Sequence, residues 1–185
     1  MNTNLAYAYD CREELINGKV VAMSPAASNH NRIAGDIYGI FWSYLRGKKC
    51  EPFGDGEAVY LTEVDHFIPD FMVVCDPDKV KSNGVHGAPD LVVEVLSPGT
   101  TKNDRGRKMD VYGQCGVREY WIVNPNEKTV EQYIQDNGRL VLHDVYFIPP
   151  DYTPEKELAE IAKEFQCSLF DDLTIRLEDI FERVK

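Results

Sequence analysis

No apolar run in the sequence is long enough to cross a bilayer as a helix, which argues against a membrane protein of that kind. CxxC pairs are missing too. The five cysteines, Cys11, Cys50, Cys75, Cys115 and Cys167, are odd in number and widely spaced. That pattern supports neither a zinc site nor a disulfide frame, and predicts free thiols in a reducing cytoplasm. Glycine-rich phosphate loops of the Walker or Rossmann type are absent, which argues against nucleotide-driven and hydride chemistry. There is no Ser-His-Asp arrangement, so Ser97 reads as a turn residue and not a nucleophile. The first residues lack the basic and apolar regions of a signal peptide, in line with a cytoplasmic protein. Basic residues are also short: 20 Lys and Arg face 31 Asp and Glu, a net charge of −11. Phosphate binding draws on Lys and Arg, so this balance counts against broad, sequence-independent binding to nucleic acid.

The charge is unevenly spread. Residues 100–108 carry Lys102, Arg105, Arg107 and Lys108 against the single acid Asp104, whereas residues 151–185 carry ten acids against five bases. Local potential matters more to a ligand than the sum over the chain. A length of 185 residues is most simply one domain, with a core over about 19–148 and an acidic C-terminal extension over 151–185.

The chemistry concentrates in residues 89–121. Leu91, Val92, Val93, Val95 and Leu96 form an apolar run that reads as a buried strand, interrupted by Glu94. A buried carboxylate is costly unless it is paired, protonated or bound to a metal. Ser97-Pro98-Gly99 breaks the run, and a helix is predicted from about Lys102 to Cys115, stopped by Gly116. On it Asp104 and Lys108 are one turn apart, which suits Asp104 to orient Lys108. A second strand, Glu119 to Val123, completes a strand–helix–strand unit.

Elsewhere the pattern predicts a helix within residues 1–18, a strand from Lys19 to Met23 and a helix from Asn29 to Leu45. His30, at the start of that helix, reads either as an edge-of-core residue or as a phosphate or water contact. Residues 48–56 read as a loop, and Glu57–Thr62 with Ile68–Val74 as a hairpin entered through Pro69-Asp70. Residues 75–88 read as a polar loop. Thr129–Gln135 and Leu140–Phe147 flank Asp136-Asn137-Gly138, a strong hairpin turn. Pro154–Lys163 is predicted as an amphipathic helix, Ser168–Arg176 as extended, and Leu177–Val184 as a last helix. The order of elements makes an α/β domain, a mixed sheet flanked by helices.

Asp70, Glu94 and Lys108 form the constellation of interest. Two carboxylates from neighbouring strands make a hard oxygen site suited to Mg²⁺, and a lysine beside them can orient water or stabilise a charged transition state. Gln114 is a polar position that either faces this site or is solvated, and Tyr112, Tyr120 and Trp121 read as core aromatics.

IPDFMVV at 68–74, GAPDLVVEVLSPGT at 87–100, the Asp104–Lys108–Tyr112 spacing and GVREYWIVNP at 116–125 resemble the restriction endonuclease family of the Uma-two type. MSPAASNH at 23–30 and LTIRLEDIF at 173–181 fit the same pattern. That family lies in the PD-(D/E)xK nuclease superfamily, and the resemblance implies a restriction-endonuclease-like fold with the metal site at one end of the sheet. It implies that Asp70 and Glu94 hold Mg²⁺ (Mn²⁺ as a substitute) with the backbone carbonyl of Val95. The superfamily lysine stands two residues after the second acid; here Leu96 occupies that place, and Lys108 is the implied replacement. The function implied is metal-dependent cleavage of DNA. The two-fold symmetry of a duplex predicts a homodimer, and the basic residues that start the helix beside Glu94, Lys102, Arg105 and Arg107, are expected as DNA contacts. The alternative is a catalytically inactive DNA- or protein-binding module of the same fold.

Overall fold

Residues 12–185 are described by a computed structural model, in which two six-stranded sheets and a two-stranded ribbon pack with helices. The chain opens with a hairpin of β1 (Glu13–Ile16) and β2 (Lys19–Ala22). Its turn, Asn17-Gly18, has φ of 51° and 73°, the left-handed pair that a two-residue hairpin needs. α1 (Ser28–Leu45) buries Ile33, Ile37, Phe41 and Leu45, four residues apart. β3 (Glu51–Gly54), β4 (Val59–Tyr60), β5 (His66–Phe67), β6 (Phe71–Val74), β7 (Val80–Lys81), β8 (Gly84–His86) and β9 (Leu91–Val95) follow. A helical crossover of α2 (Thr101–Asn103), a π-turn at Asp104–Lys108 and α3 (Met109–Cys115) leads to β10 (Glu119–Asn124). β11 (Thr129–Asp136) and β12 (Arg139–Phe147) form the next hairpin. α4 (Glu155–Leu158), β13 (Glu164–Gln166), β14 (Thr174–Arg176) and α5 (Leu177–Phe181) complete the chain.

The central sheet has the order β12-β11-β10-β9-β6-β3. β9 and β10 run parallel across the helical crossover, and the other neighbours are antiparallel. Alternation divides its side chains between two cores. Phe71, Val73, Leu91, Val93, Val95 and Trp121 face α1 and α5. Met72, Val74, Val92, Tyr120 and Ile122 face α3 and the other six-stranded sheet, β2-β1-β5-β4-β8-β7. Glu94 falls on this second face by the same alternation.

Several sequence expectations are corrected. The helix over 1–18 lies partly outside the described residues, and its last part is β1 and a turn. The loop at 48–56 contains β3, which pairs antiparallel with β6. The hairpin drawn over 57–74 splits: β4 pairs with β5 in one sheet, while β6 joins β9 in the other. The loop at 75–88 contains the β7–β8 hairpin. The mixed sheet flanked by helices is present as β12-β11-β10-β9-β6-β3, and a second six-stranded sheet accompanies it. The helix over 154–163 shrinks to Glu155–Leu158, and of the extended stretch over 168–176 only β14 is strand, paired with β13, which precedes that stretch. The local pattern there gives way to tertiary packing: Phe165, Cys167, Leu173, Ile175, Leu177 and Ile180 are buried in the core beside α1. Glu119, fully buried, ties that segment down by accepting from Trp121 Nε1 and Gln132 Nε2 (both 2.6 Å) and from Ser168 N (2.8 Å). The free-thiol expectation fails at Cys50 and Cys75, which form a disulfide. They follow the Glu51–Val74 register pair of β3 and β6, so strand pairing sets them opposite each other. The cysteine argument for a reducing compartment goes with it. Cys115 and Cys167 are free, and Cys11 lies outside the described residues.

Candidate functional site: a buried carboxylate–lysine cluster

Asp70 immediately precedes β6, and Phe71 of that strand pairs with Val93 of β9. This register brings Asp70 to the end of β9 that carries Glu94 and Val95. Asp70 Oδ2 accepts from Val95 N at 2.6 Å and lies 3.2 Å from His30 Nε2 at the start of α1. Val95 thus reaches the group through its N–H. Burial pulls the His30 imidazole down, but the Asp70 carboxylate outweighs it and holds the pKa above the ordinary value.

Glu94 Oε1 accepts from Lys108 Nζ and from the Tyr112 hydroxyl, both at 2.9 Å. These bonds use one oxygen of each carboxylate, Asp70 and Glu94, and leave the other outside them. Lys108 is 2% exposed and its ammonium serves three carboxylates: Glu14 Oε1 at 2.8 Å, Glu94 Oε1 at 2.9 Å and Asp104 Oδ1 at 3.6 Å. The crossover helix delivers it through a kink. Gly106 is non-helical (φ −121°, ψ −110°), and the Tyr120 hydroxyl donates to the Asp104 carbonyl at 3.0 Å. Burial is the largest influence on Glu94 and, with Asp104, Asp70 and Glu14 nearby, raises its pKa well above the ordinary range against the pull of Lys108. Burial likewise raises Asp104. Burial alone would lower the Lys108 amine, but Glu94, Glu14 and Asp104 outweigh it and raise it.

Glu14 is the member that sequence reasoning missed. It is 5% exposed, and its Oε1 also accepts from Ile68 N at 2.8 Å. The available signal was Asn17-Gly18, which marks a hairpin and so places Glu14 on a strand. His30, Asp104 and Lys108 are all brought to the cluster, and Gln114 is exposed on α3 away from it. The basic residues divide. Lys102 is exposed, but Arg105 is paired with Glu131 (Nη2–Oε1, 2.5 Å) and Arg107 with the fully buried Asp65 (Nη2–Oδ2, 2.5 Å).

Among the described residues no three His, Cys, Asp or Glu side chains form a ready-made metal cage; Glu14, Glu94 and Asp104 converge on an ammonium instead. The donor chemistry still suits Mg²⁺, which is held through one or two carboxylates with water and phosphate filling its remaining positions. The charge suits it too: three buried carboxylates face one ammonium, and both Asp104 oxygens are buried without a hydrogen-bond partner.

The architecture is that of a solved structure described as a "putative nuclease belonging to DUF820" from Anabaena variabilis. The TM-score is 0.67 at 19% identity, covering 92% of this chain and 89% of that one. The class is thus a mixed α/β nuclease-like fold. Residues 5–169 match the family described as "Uma2: Putative restriction endonuclease", and the chain belongs to that family. Two uncharacterized proteins of Synechocystis sp. are similar: slr1290 at 31% identity over 124 residues and sll1609 at 25% over 126. Each alignment covers 66% of this chain, and they span 65% and 71% of those relatives' own lengths. Among the described residues no helix is long and apolar enough to cross a membrane.

Proposed function

We propose that the chain is a Mg²⁺-dependent endonuclease that hydrolyses DNA phosphodiester bonds, working in the cytoplasm as a homodimer. The observation that carries this reading is the buried Lys108 ammonium, held between Glu14 and Glu94 at the sheet end where Asp70 stands. Asp70 and Glu94, with the backbone carbonyl oxygen of Val95, would hold the cation, Mn²⁺ being the substitute. A cation there supplies an acidified water and neutralises charge on the phosphate. Lys108 stays protonated and directs a donor at the attacking water or at the developing phosphate charge. Glu14 fixes the ammonium at 2.8 Å, and Tyr112 fixes Glu94. His30, bonded to Asp70, orients that carboxylate and stands where a phosphate oxygen or water can meet it.

A second reading, a nuclease-fold binding module without catalysis, draws on one observation: Lys108 is almost fully enclosed and its ammonium is shared by three carboxylates. Incubation of supercoiled plasmid and labelled RNA with Mg²⁺ or Mn²⁺ separates the two. Nicking by the native chain that falls at least about 100-fold in Asp70→Asn and Glu94→Gln supports the nuclease. No cleavage by any of the three supports the module, and equal cleavage by all three removes Asp70 and Glu94 from the reaction.

A further inference from the structure

The solvent face of the β1–β2 sheet carries a cross-strand row that the cluster does not use. Val20 pairs with Leu15, Leu15 with His66, His66 with Tyr60 and Tyr60 with His86, so the five side chains lie side by side across five strands. Val20 is 64% exposed. His86 is exposed, and Leu15, His66 and Tyr60 are half-buried. The Tyr60 ring centroid stands 4.7 Å from both imidazoles, nearly parallel to His86 (20°) and tilted to His66 (59°). The rings are held in place. His86 Nε2 bonds Asn83 Oδ1 at 3.0 Å, and Tyr60 lies against Gly84, where a Cβ would stand 2.9 Å from its ring and 2.5 Å from the Ala58 carbonyl oxygen. Gly84 has φ +134°, so the close seat and the backbone both call for glycine.

Beside the row is a cavity of about 250 Å³, with Glu13, Leu15, Val20, Tyr60 and His66 in its wall. That is just under the roughly 300 Å³ where drug-sized pockets begin, which suits one small planar group. Glu13 offers a carboxylate to the N–H and amino edges of a base and repels phosphate, so a base enters and its backbone stays outside. Glu14 also borders the cavity, and its side chain bonds Lys108 at 2.8 Å.

We propose that this face is a stacking platform for unpaired nucleobases, with one base seated in the cavity and others on the His66–Tyr60–His86 rings. The proposal rests on the nuclease reading and refines its substrate to an unpaired strand over an intact duplex. Exposed sheet-face aromatics bind single strands because every base offers a π-face.

The test is fluorescence anisotropy in EDTA, without cleavage, using a labelled mixed-sequence single strand and its duplex. The native chain is expected to bind the single strand more tightly than the duplex. Tyr60→Ala and His86→Ala are each expected to weaken single-strand binding roughly 5- to 150-fold, as stacking energies convert. Tyr60→Phe, which keeps the ring, should retain it. Circular dichroism monitors the fold, and if Tyr60→Ala does not fold, the exposed His86→Ala decides. Equal affinities in the native chain and the alanine variants, or preference for the duplex, overturn the platform. Because EDTA removes catalysis, loss of cleavage in Asp70→Asn with binding intact leaves the platform standing, and cleavage of duplex without the ring dependence leaves the nuclease standing.

Discussion

Replacing Lys108 by methionine removes, among the described residues, the cation that Glu14, Glu94 and Asp104 share, at contacts of 2.8, 2.9 and 3.6 Å. A single charge pair near 3 Å is worth about 6 kcal/mol at an effective dielectric of about 20, before desolvation is set against it. Breaking a buried pair from one side typically costs about 3–5 kcal/mol, because the remaining charge is left uncompensated. Lys108 is 2% exposed and its three partners are 1–5% exposed, so that range applies with little solvent screening. Methionine keeps the unbranched volume, so packing contributes little of the loss. The deficit should depend on pH, and the sign follows from the shifts. Glu94 and Asp104 are raised above ordinary values of 4.5 and 3.8, so their contribution is fully present below those values and is lost as pH rises toward the folded ones. Removing Lys108, which pulls both down, raises them further. The variant therefore takes up protons on folding over a wider window above 4.5, and acid offsets part of its loss. Lys108 itself is raised above 10.5 and keeps its charge throughout this range. Urea unfolding should show a deficit of about 3–5 kcal/mol at neutral pH that narrows clearly by about pH 5. Equal stability at neutral pH, or the same deficit at both pH values, would refute the claim that the ammonium compensates buried carboxylates.

Two further outcomes follow from charge and assembly. Arg107→Glu should destabilise the fold by roughly 2 kcal/mol, between an exposed and a buried pair because the Arg107 side chain is 38% exposed. Burial pushes Asp65 up, but Arg107, the Asn17 N–H and the Thr62 hydroxyl outweigh it and hold it below 3.8, so the deficit is full above that pH and fades as pH falls through the folded value; denaturation at two pH values checks it. Sedimentation velocity should show a two-fold dimer at roughly tens of micromolar; a monomer at every concentration counts against the assembly.

Much of the site was legible in the chain. Glu94 stands out because a charge interrupts five apolar residues, and the Asp104–Lys108–Tyr112 spacing puts three polar groups on one helical face. The parallel β9–crossover–β10 unit and the Asn137-Gly138 hairpin also follow from local pattern, because turn chemistry and periodicity act within a few residues. Glu14 was not legible in the same way. Its role depends on β1 pairing with β5, more than forty residues away, and on the facing of two sheets, which no local period encodes. The same holds for Cys50 and Cys75, set opposite each other by the β3–β6 register, and for Arg105 and Arg107, whose partners Glu131 on β11 and Asp65 just before β5 are distant in sequence. The residue types and their spacing established which groups could do chemistry. Tertiary structure decided which of them share a low-dielectric interior, where a missing or surplus charge costs enough to matter, and which are spent in ion pairs at the surface.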